Sequence, residues 1–172
     1  YAEEAVYGHV ARYLQPEFFK ENRGKPNAPF TSQLTKKQVN QIMERAVLQS
    51  ERYRILKSNG ASDEEIHKSF HTPTDMSIFT YHGDVDTMMT PIDSIRYVKS
   101  FLRAGFMSMD PTTGAVKAYV GGLDYTHFMY DMVTGGRRQV GSTIKPFLYS
   151  LAMENGFSPC DLAPNVQRTY MV

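Results

Sequence analysis

The sequence holds a single cysteine, Cys160, so it can form neither an intramolecular disulfide nor a cysteine-built zinc site. Cysteine usage therefore leaves the redox compartment open. Charge of one sign is also scarce: 19 Lys and Arg stand against 18 Asp and Glu, a formal net charge of +1. Nucleic-acid binding driven by phosphate neutralisation needs a large basic excess, so no nucleic-acid partner is expected. The short basic pairs Lys36-Lys37 and Arg137-Arg138 read as solvated surface or local anion contacts. Long apolar runs are missing as well. None approaches the roughly 18 residues that span a bilayer, and the first residues lack the charged-then-apolar order of a secretion signal. The chain starts Tyr1-Ala2-Glu3-Glu4 rather than with Met, so a piece of a longer protein is expected. The five histidines (His9, His67, His71, His82 and His127) are scattered; His67 and His71 stand four apart but near a helix end, so no metal is expected. Neither Gly121-Gly122 nor Gly135-Gly136 sits in a Gly-x-x-x-x-Gly-Lys frame, and both read as turns.

What is present is an ordinary globular composition, 41% hydrophobic, 12% aromatic and 22% charged, in 172 residues. "YAEEAVYGHVARYLQPEFF" has helical spacing, with Pro16 expected to stop it. "KENRGKPNAPF" reads as a loop. "TKKQVNQIMERAVLQSERYRILKSNG" predicts one long helix. Thr35 and Gln38 form its capping box, Val39, Ile42, Met43, Ala46 and Val47 its inner face, and Asn59-Gly60 its end. A second box, Ser62 with Glu65, opens a short helix before Pro73. "MSIFTYHGD" reads as a strand ending in a turn. Thr90-Pro91 starts a further helix, with Ile92, Ile95, Val98 and Leu102 inward until Gly105. After Gly105 the period changes to two. "FMSM" and "AVKAYVGG" flank the turn "DPTTG" and predict an antiparallel hairpin. The expected fold is α+β, with a boundary near Gly105: a mainly helical part over 1–104, then the opening of an α/β part over 105–172. Ten methionines are expected to fill core gaps, and Tyr119, Tyr125, Phe128 and Tyr130 to pack the hairpin and its loop.

In "GRRQVGSTIKPFLYSLAMENG", Ser142 and Lys145 stand three positions apart at the start of an apolar run. Ser-x-x-Lys alone is weak, since it arises by chance in roughly one of every two chains this long. One reading is a helix cap, with Ile144, Phe147, Leu148 and Leu151 as an apolar face and Lys145 on the surface. The other is chemical. Residues three apart share a helix face, so the amine can reach the hydroxyl. A lysine acts as a base when neutral, and both apolar burial and the positive end of a helix dipole favour the neutral amine. Gly141 would let a substrate approach the backbone, and the Ser142 N–H could serve as an oxyanion donor. Pro146 falls within or just past the first turn, where a missing N–H costs least.

"RRQVGSTIKPFLYSLAMENGFSP" closely resembles the nucleophile segment of class A penicillin-binding proteins, which are bifunctional. "FMSMDPTTGAVKAYVGG" is similar to the first hairpin of their transpeptidase domain, and "TPIDSIRYVKSFLRAGF" to the helix leading into it. The resemblance covers residues 70–166, with the blocks in the family's order. It implies that 1–104 is an inter-domain linker region and 105–172 the incomplete N-terminal part of a penicillin-binding, transpeptidase-like domain. By the same resemblance, Ser142 would be acylated by a D-Ala-D-Ala stem peptide of peptidoglycan, with Lys145 as base and no cofactor. An amine of a neighbouring stem would then resolve the acyl-enzyme into a cross-link. A β-lactam would acylate the same serine. Gly141, and Tyr130 and Asp131 in "HFMYDMV", would contact substrate. Location in the bacterial cell envelope is implied, on the periplasmic side of the inner membrane, with anchoring through parts outside this chain; regulators of cell-wall synthesis are further partners.

The family's second and third motifs, Ser-x-Asn and Lys-Ser/Thr-Gly, do not occur in the sequence, and Lys145 is followed only by residues 146–172. The isolated piece is therefore expected to be inactive. Two alternatives stay open: a β-lactamase or D,D-carboxypeptidase sharing Ser-x-x-Lys, and a non-catalytic spacer or interaction module.

Overall fold

Ser50 divides the run that periodicity reads as one helix. In the computed structural model, which describes residues 1–162 and residue 166, helix α3 spans Lys36–Gln49 and α4 Glu51–Ser58. Thr35 caps α3 as expected: its Oγ1 accepts from the Gln38 N–H at 3.3 Å, and Gln38 Oε1 accepts from the Thr35 N–H at 2.9 Å. Ser50 is extended (φ −72°, ψ 149°), and its Oγ accepts from the Tyr53 N–H at 3.2 Å. A serine hydroxyl that bonds the backbone locally can start a new helix, and here it does. Val39 and Met43 are buried, and Ile42, Ala46 and Val47 partly so. Asn59-Gly60 ends α4, Gly60 at φ +80°.

The second capping box also forms. Ser62 and Glu65 open α5 (Asp63–His71), which buries Ile66 and Phe70. Strand β1 (Thr74–Ile78) pairs antiparallel with β2 (Val85–Met89), from Thr74 opposite Met89 to Ile78 opposite Val85. "VDTMM" carries no clean alternation, and its strand was not expected. Thr90 caps α6 (Pro91–Val98), its Oγ1 accepting from the Asp93 N–H at 3.2 Å.

Helix α6 stops short of Gly105, and Val98 is exposed. The Ser100 N–H bonds the Tyr97 carbonyl at 2.9 Å, a tightened turn that swings Phe101 inward to 5% exposure. The backbone beyond is held from elsewhere: Gln15 donates to the Ser100 carbonyl at 2.9 Å and accepts from the Leu102 N–H at 2.8 Å.

Gln15 lies where the sequence predicts a stop. Helix α1 (Ala2–His9) instead runs through a π-helical turn, Val10–Leu14, into α2 (Gln15–Asn22). The Gln15 N–H bonds the Val10 carbonyl, five residues back. A widened turn just before Pro16 accommodates a ring that would clash with the carbonyl four residues back in a regular helix.

Phe79, Phe101 and Phe128 form an aromatic core, with Tyr81 and Tyr97 packed against it. Phe79 meets Phe101 at 5.2 Å and Phe128 at 5.0 Å between ring centroids, both edge-to-face, the arrangement that ring quadrupoles favour. Tyr97 Oη donates to the Phe79 carbonyl at 2.7 Å, and the Arg103 guanidinium lies 3.6 Å from the Phe128 ring centroid. The Tyr81 hydroxyl is buried with no hydrogen-bond partner among the described residues.

The predicted hairpin forms from β3 (Phe106–Met109) and β4 (Val116–Val120), with an irregularity at Ser108/Met109. At its turn, Asp110 Oδ1 accepts from the N–H groups of Thr112 (3.0 Å) and Thr113 (2.9 Å), and Gly114 takes φ +71°. The architecture is α+β: helices lead, and two small antiparallel hairpins follow. The chain forms two compact units, Tyr1–Gly136 and Arg137–Val172. Among the described residues of the second unit, a 3-10 turn (Gly141–Ile144) leads into helix α7 (Lys145–Glu154). No helix among the described residues is long and apolar enough to cross a membrane.

Candidate active site

Ser142 lies inside the 3-10 turn, and α7 begins at Lys145 with Pro146 in its first turn. The Lys145 N–H bonds the Ser142 carbonyl, closing the turn. No side chain caps the 3-10 turn or α7, so Ser142 is not the helix cap that one reading expected. Residues three apart on consecutive helical turns share a face, so Ser142 and Lys145 fall on one side of the segment, with no hydrogen bond between their side chains among the described residues. Gly141 holds φ +52°, a left-handed conformation, and a Cβ there would meet nothing within 4 Å. The backbone before the serine is therefore open to an approaching group.

Two expectations about this segment are corrected. Lys145 is exposed, as the cap reading expects, rather than buried beside apolar neighbours as the chemical reading has it. The apolar residues of α7 do not form a buried face either: Phe147, Leu148 and Leu151 are 72%, 55% and 57% exposed. Apolar composition alone does not bury a helix; a partner surface must also be present.

Tyr130 and Asp131 belong to the first unit, in the loop after β4. Asp131 Oδ1 accepts from the N–H groups of Val133 (2.8 Å) and Thr134 (3.0 Å), and Oδ2 accepts from the Tyr119 hydroxyl. The Tyr119 hydrogen bond, followed by the backbone donors, holds the Asp131 carboxyl below the usual carboxylate range. The same bond raises the Tyr119 hydroxyl above its ordinary value. The Tyr130 hydroxyl donates to the Gly135 carbonyl. These polar groups thus brace their own loop. Both residues also line a cleft of about 620 Å³ whose other wall carries Glu3, Glu4 and Tyr7 of α1.

The glycine pairs act as close-packed turns. Gly121 lies against the Asp131 carboxylate, and a Cβ on Gly136 would stand 2.4 Å from the Met132 carbonyl oxygen. Of the four aromatics assigned to packing, Phe128 enters the core, Tyr119 and Tyr130 hold the loop, and Tyr125 is 76% exposed. His67 and His71 stack at 4.1 Å, and His71 Nδ1 lies 2.8 Å from the His67 carbonyl. No group of three or more His, Cys, Asp or Glu side chains among the described residues could hold a metal ion. Sequence reasoning missed one cluster, His127 between Asp84 and Asp124. The Asp124-x-x-His127 spacing was a signal for half of it; nothing in the sequence points to Asp84.

Two family models match the chain in succession. Residues 25–102 match the penicillin-binding protein middle domain, and residues 104–171 match the penicillin binding protein transpeptidase domain. The chain belongs to the penicillin-binding proteins. The class A resemblance read from the nucleophile segment stands with these matches. The chain is 41% identical over 73 residues to penicillin-binding protein 2D of Bacillus subtilis, covering 42% of this chain and 11% of that relative. It is 47% identical over 53 residues to penicillin-binding protein 1A of Vibrio cholerae, covering 31% and 6%. To penicillin-binding protein 1A of Escherichia coli it is 40% identical over 65 residues, covering 38% and 8%. The match thus spans about a tenth or less of each of these penicillin-binding proteins. No solved structure matches the chain.

Proposed function

We propose that Ser142 is the acylated nucleophile of a peptidoglycan D,D-transpeptidase and that Lys145 is its base. The observation that carries the reading is the placement of Ser142. It lies on a 3-10 turn, outside any capping role, after a glycine in a left-handed conformation and one turn from Lys145. The segment also falls within the stretch matched by the transpeptidase family.

In this reading Lys145 takes the Ser142 hydroxyl proton as Oγ attacks the carbonyl of the penultimate D-Ala. The C–N bond to the terminal D-Ala then breaks, with the proton passing to the leaving amine. An amine from a second stem peptide attacks the acyl-enzyme, which restores the serine and forms the cross-link. The Ser142 N–H donates to the oxyanion. A β-lactam carbonyl enters the same route and leaves an acyl-serine. Tyr130 and Asp131, in the stretch before the nucleophile, contact substrate. The protein acts in the bacterial cell envelope on the periplasmic side, among cell-wall regulators, anchored through parts other than residues 1–172. Residues 1–172 alone are inactive, because they supply neither Ser-x-Asn nor Lys-Ser/Thr-Gly.

Labelling of the intact protein with a fluorescent penicillin tests the assignment. Labelling should vanish in Ser142→Ala; labelling that persists in that variant sinks it. The isolated 1–172 piece should remain unlabelled.

A further inference from the structure

His127 stands between two carboxylates. Its Nδ1 lies 3.1 Å from Asp124 Oδ1, and its Nε2 lies 3.1 Å from Asp84 Oδ1 and 3.2 Å from Oδ2. A neutral imidazole carries one N–H, so it can donate to one of these groups while aiming a lone pair at the other. An imidazolium donates to both. The two carboxylates belong to different parts of the chain. Asp84 sits on the turn joining β1 to β2, and Asp124 shares the loop after β4 with His127. The fit is local as well as ionic: the His127 N–H bonds Asp124 Oδ1 at 2.9 Å, and the ring packs 4.9 Å from that of Phe79.

We propose that His127, as an imidazolium, latches the loop over residues 121–136 to the β1–β2 turn, and that loss of its proton releases this latch. The turn lies in the stretch matched as the middle domain, and the loop in the stretch matched as the transpeptidase domain. The latch therefore adds an ionic tie between two family domains that Phe128, packed on Phe79 and Phe101, already joins. It goes beyond the acylation chemistry and does not depend on Ser142.

The charged groups around the ring are few. Asp84 faces it from the turn and Asp124 from its own loop. Arg52 of α4 shares the recess that His127 lines, and Arg103 lies over the adjacent Phe128 ring. Both arginines oppose the imidazolium, but the aspartates are in contact. The Asp124 hydrogen bond, then that of Asp84, raises the His127 pKa above its ordinary value despite some desolvation. A raised histidine value gives a contribution fully present below the ordinary imidazole pKa and lost as pH rises through the raised one. Release thus comes on the alkaline side of the ordinary value.

Hydrogen exchange of the intact protein, corrected for intrinsic amide chemistry, tests the latch between about pH 6 and pH 9. Protection over 122–136 should fall about two- to tenfold as pH rises, the range expected for two exposed ion pairs. Asp84→Asn should start at a lower level and show a weaker pH dependence there, since the Asp124 pair remains, while His127→Gln should start lower and show none. Protection that is flat with pH in the unmodified protein, or that Asp84→Asn leaves unchanged, overturns the proposal. Should His127→Gln fail to fold, Asp84→Asn decides alone, because it alters only an exposed turn.

Discussion

Gln15 and Ser100, 85 positions apart in sequence, are joined by a 2.9 Å hydrogen bond from the Gln15 Nε2 to the Ser100 carbonyl. The same side chain accepts from Leu102, so one carboxamide brackets both sides of Phe101. It is 1% exposed, among the least exposed side chains of the structure. Gln15→Leu keeps the volume and strands a carbonyl and an N–H. The expected loss is about 2–3 kcal/mol, read from urea denaturation. A change below about 0.5 kcal/mol would show that water serves these groups equally well.

Tyr81 predicts the opposite sign. Its hydroxyl is buried without a partner among the described residues, and burial pushes its pKa up to about 12. Tyr81→Phe removes the desolvated oxygen and keeps the ring packing on Phe79. Stability should be unchanged or rise by up to about 1 kcal/mol in the same denaturation experiment.

Gly136 has no room for a side chain, with a Cβ position 2.4 Å from the Met132 carbonyl oxygen. Gly136→Ala must shift backbone, and should cost about 1–3 kcal/mol. Limited proteolysis should show faster cleavage within 131–137; an unchanged pattern would mean that the loop yields freely.

The Asp131 carboxylate makes the loop acid-sensitive. Its pKa is depressed, so its stabilising contribution is complete above the ordinary carboxylate value and disappears as pH falls through the lower, folded one. Tyr119→Phe removes the first cause of that depression. Loop opening, followed by hydrogen exchange over 130–136, should then begin at higher pH than in the unmodified protein. An onset that does not move would assign the depression to the backbone donors alone.

At the proposed nucleophile, Lys145→Ala should slow acylation by penicillin about 10²–10⁴-fold, the usual contribution of a positioned base. Time-resolved labelling of the intact protein measures it. A loss under about tenfold would move the base to another residue.

Local signals in the sequence carried far. The boxes at Thr35 and Ser62, the cap at Thr90, the end at Asn59-Gly60 and the turn at Asp110–Gly114 all involve residues within a few positions of each other, and all form. Errors arose where a distant partner decided. Helix α6 ends sooner than its apolar spacing predicts, and Gln15, far upstream, holds the chain beyond it. Ser50 is ambiguous in sequence because a serine hydroxyl can sit on a helix surface or start a new helix, as it does here. The spacing of Ser142 and Lys145 is legible in the sequence, and the structure adds the 3-10 turn on which Ser142 sits. The Asp84–His127 contact joins residues 43 positions apart and left no trace in the pattern.

The π turn at Val10–Leu14 lets Val10 and Gln15 both be buried, although five residues in a regular helix would point them well apart. It works as a phase adjuster. Winding the same residues as a regular helix, with none removed, would rotate α1 by about 100° about its axis relative to α2. Tyr7, which now donates to the Tyr81 carbonyl, would swing off that carbonyl while Gln15 kept its grip. A single inserted residue thus lets two consecutive stretches of one rod answer to two different neighbours.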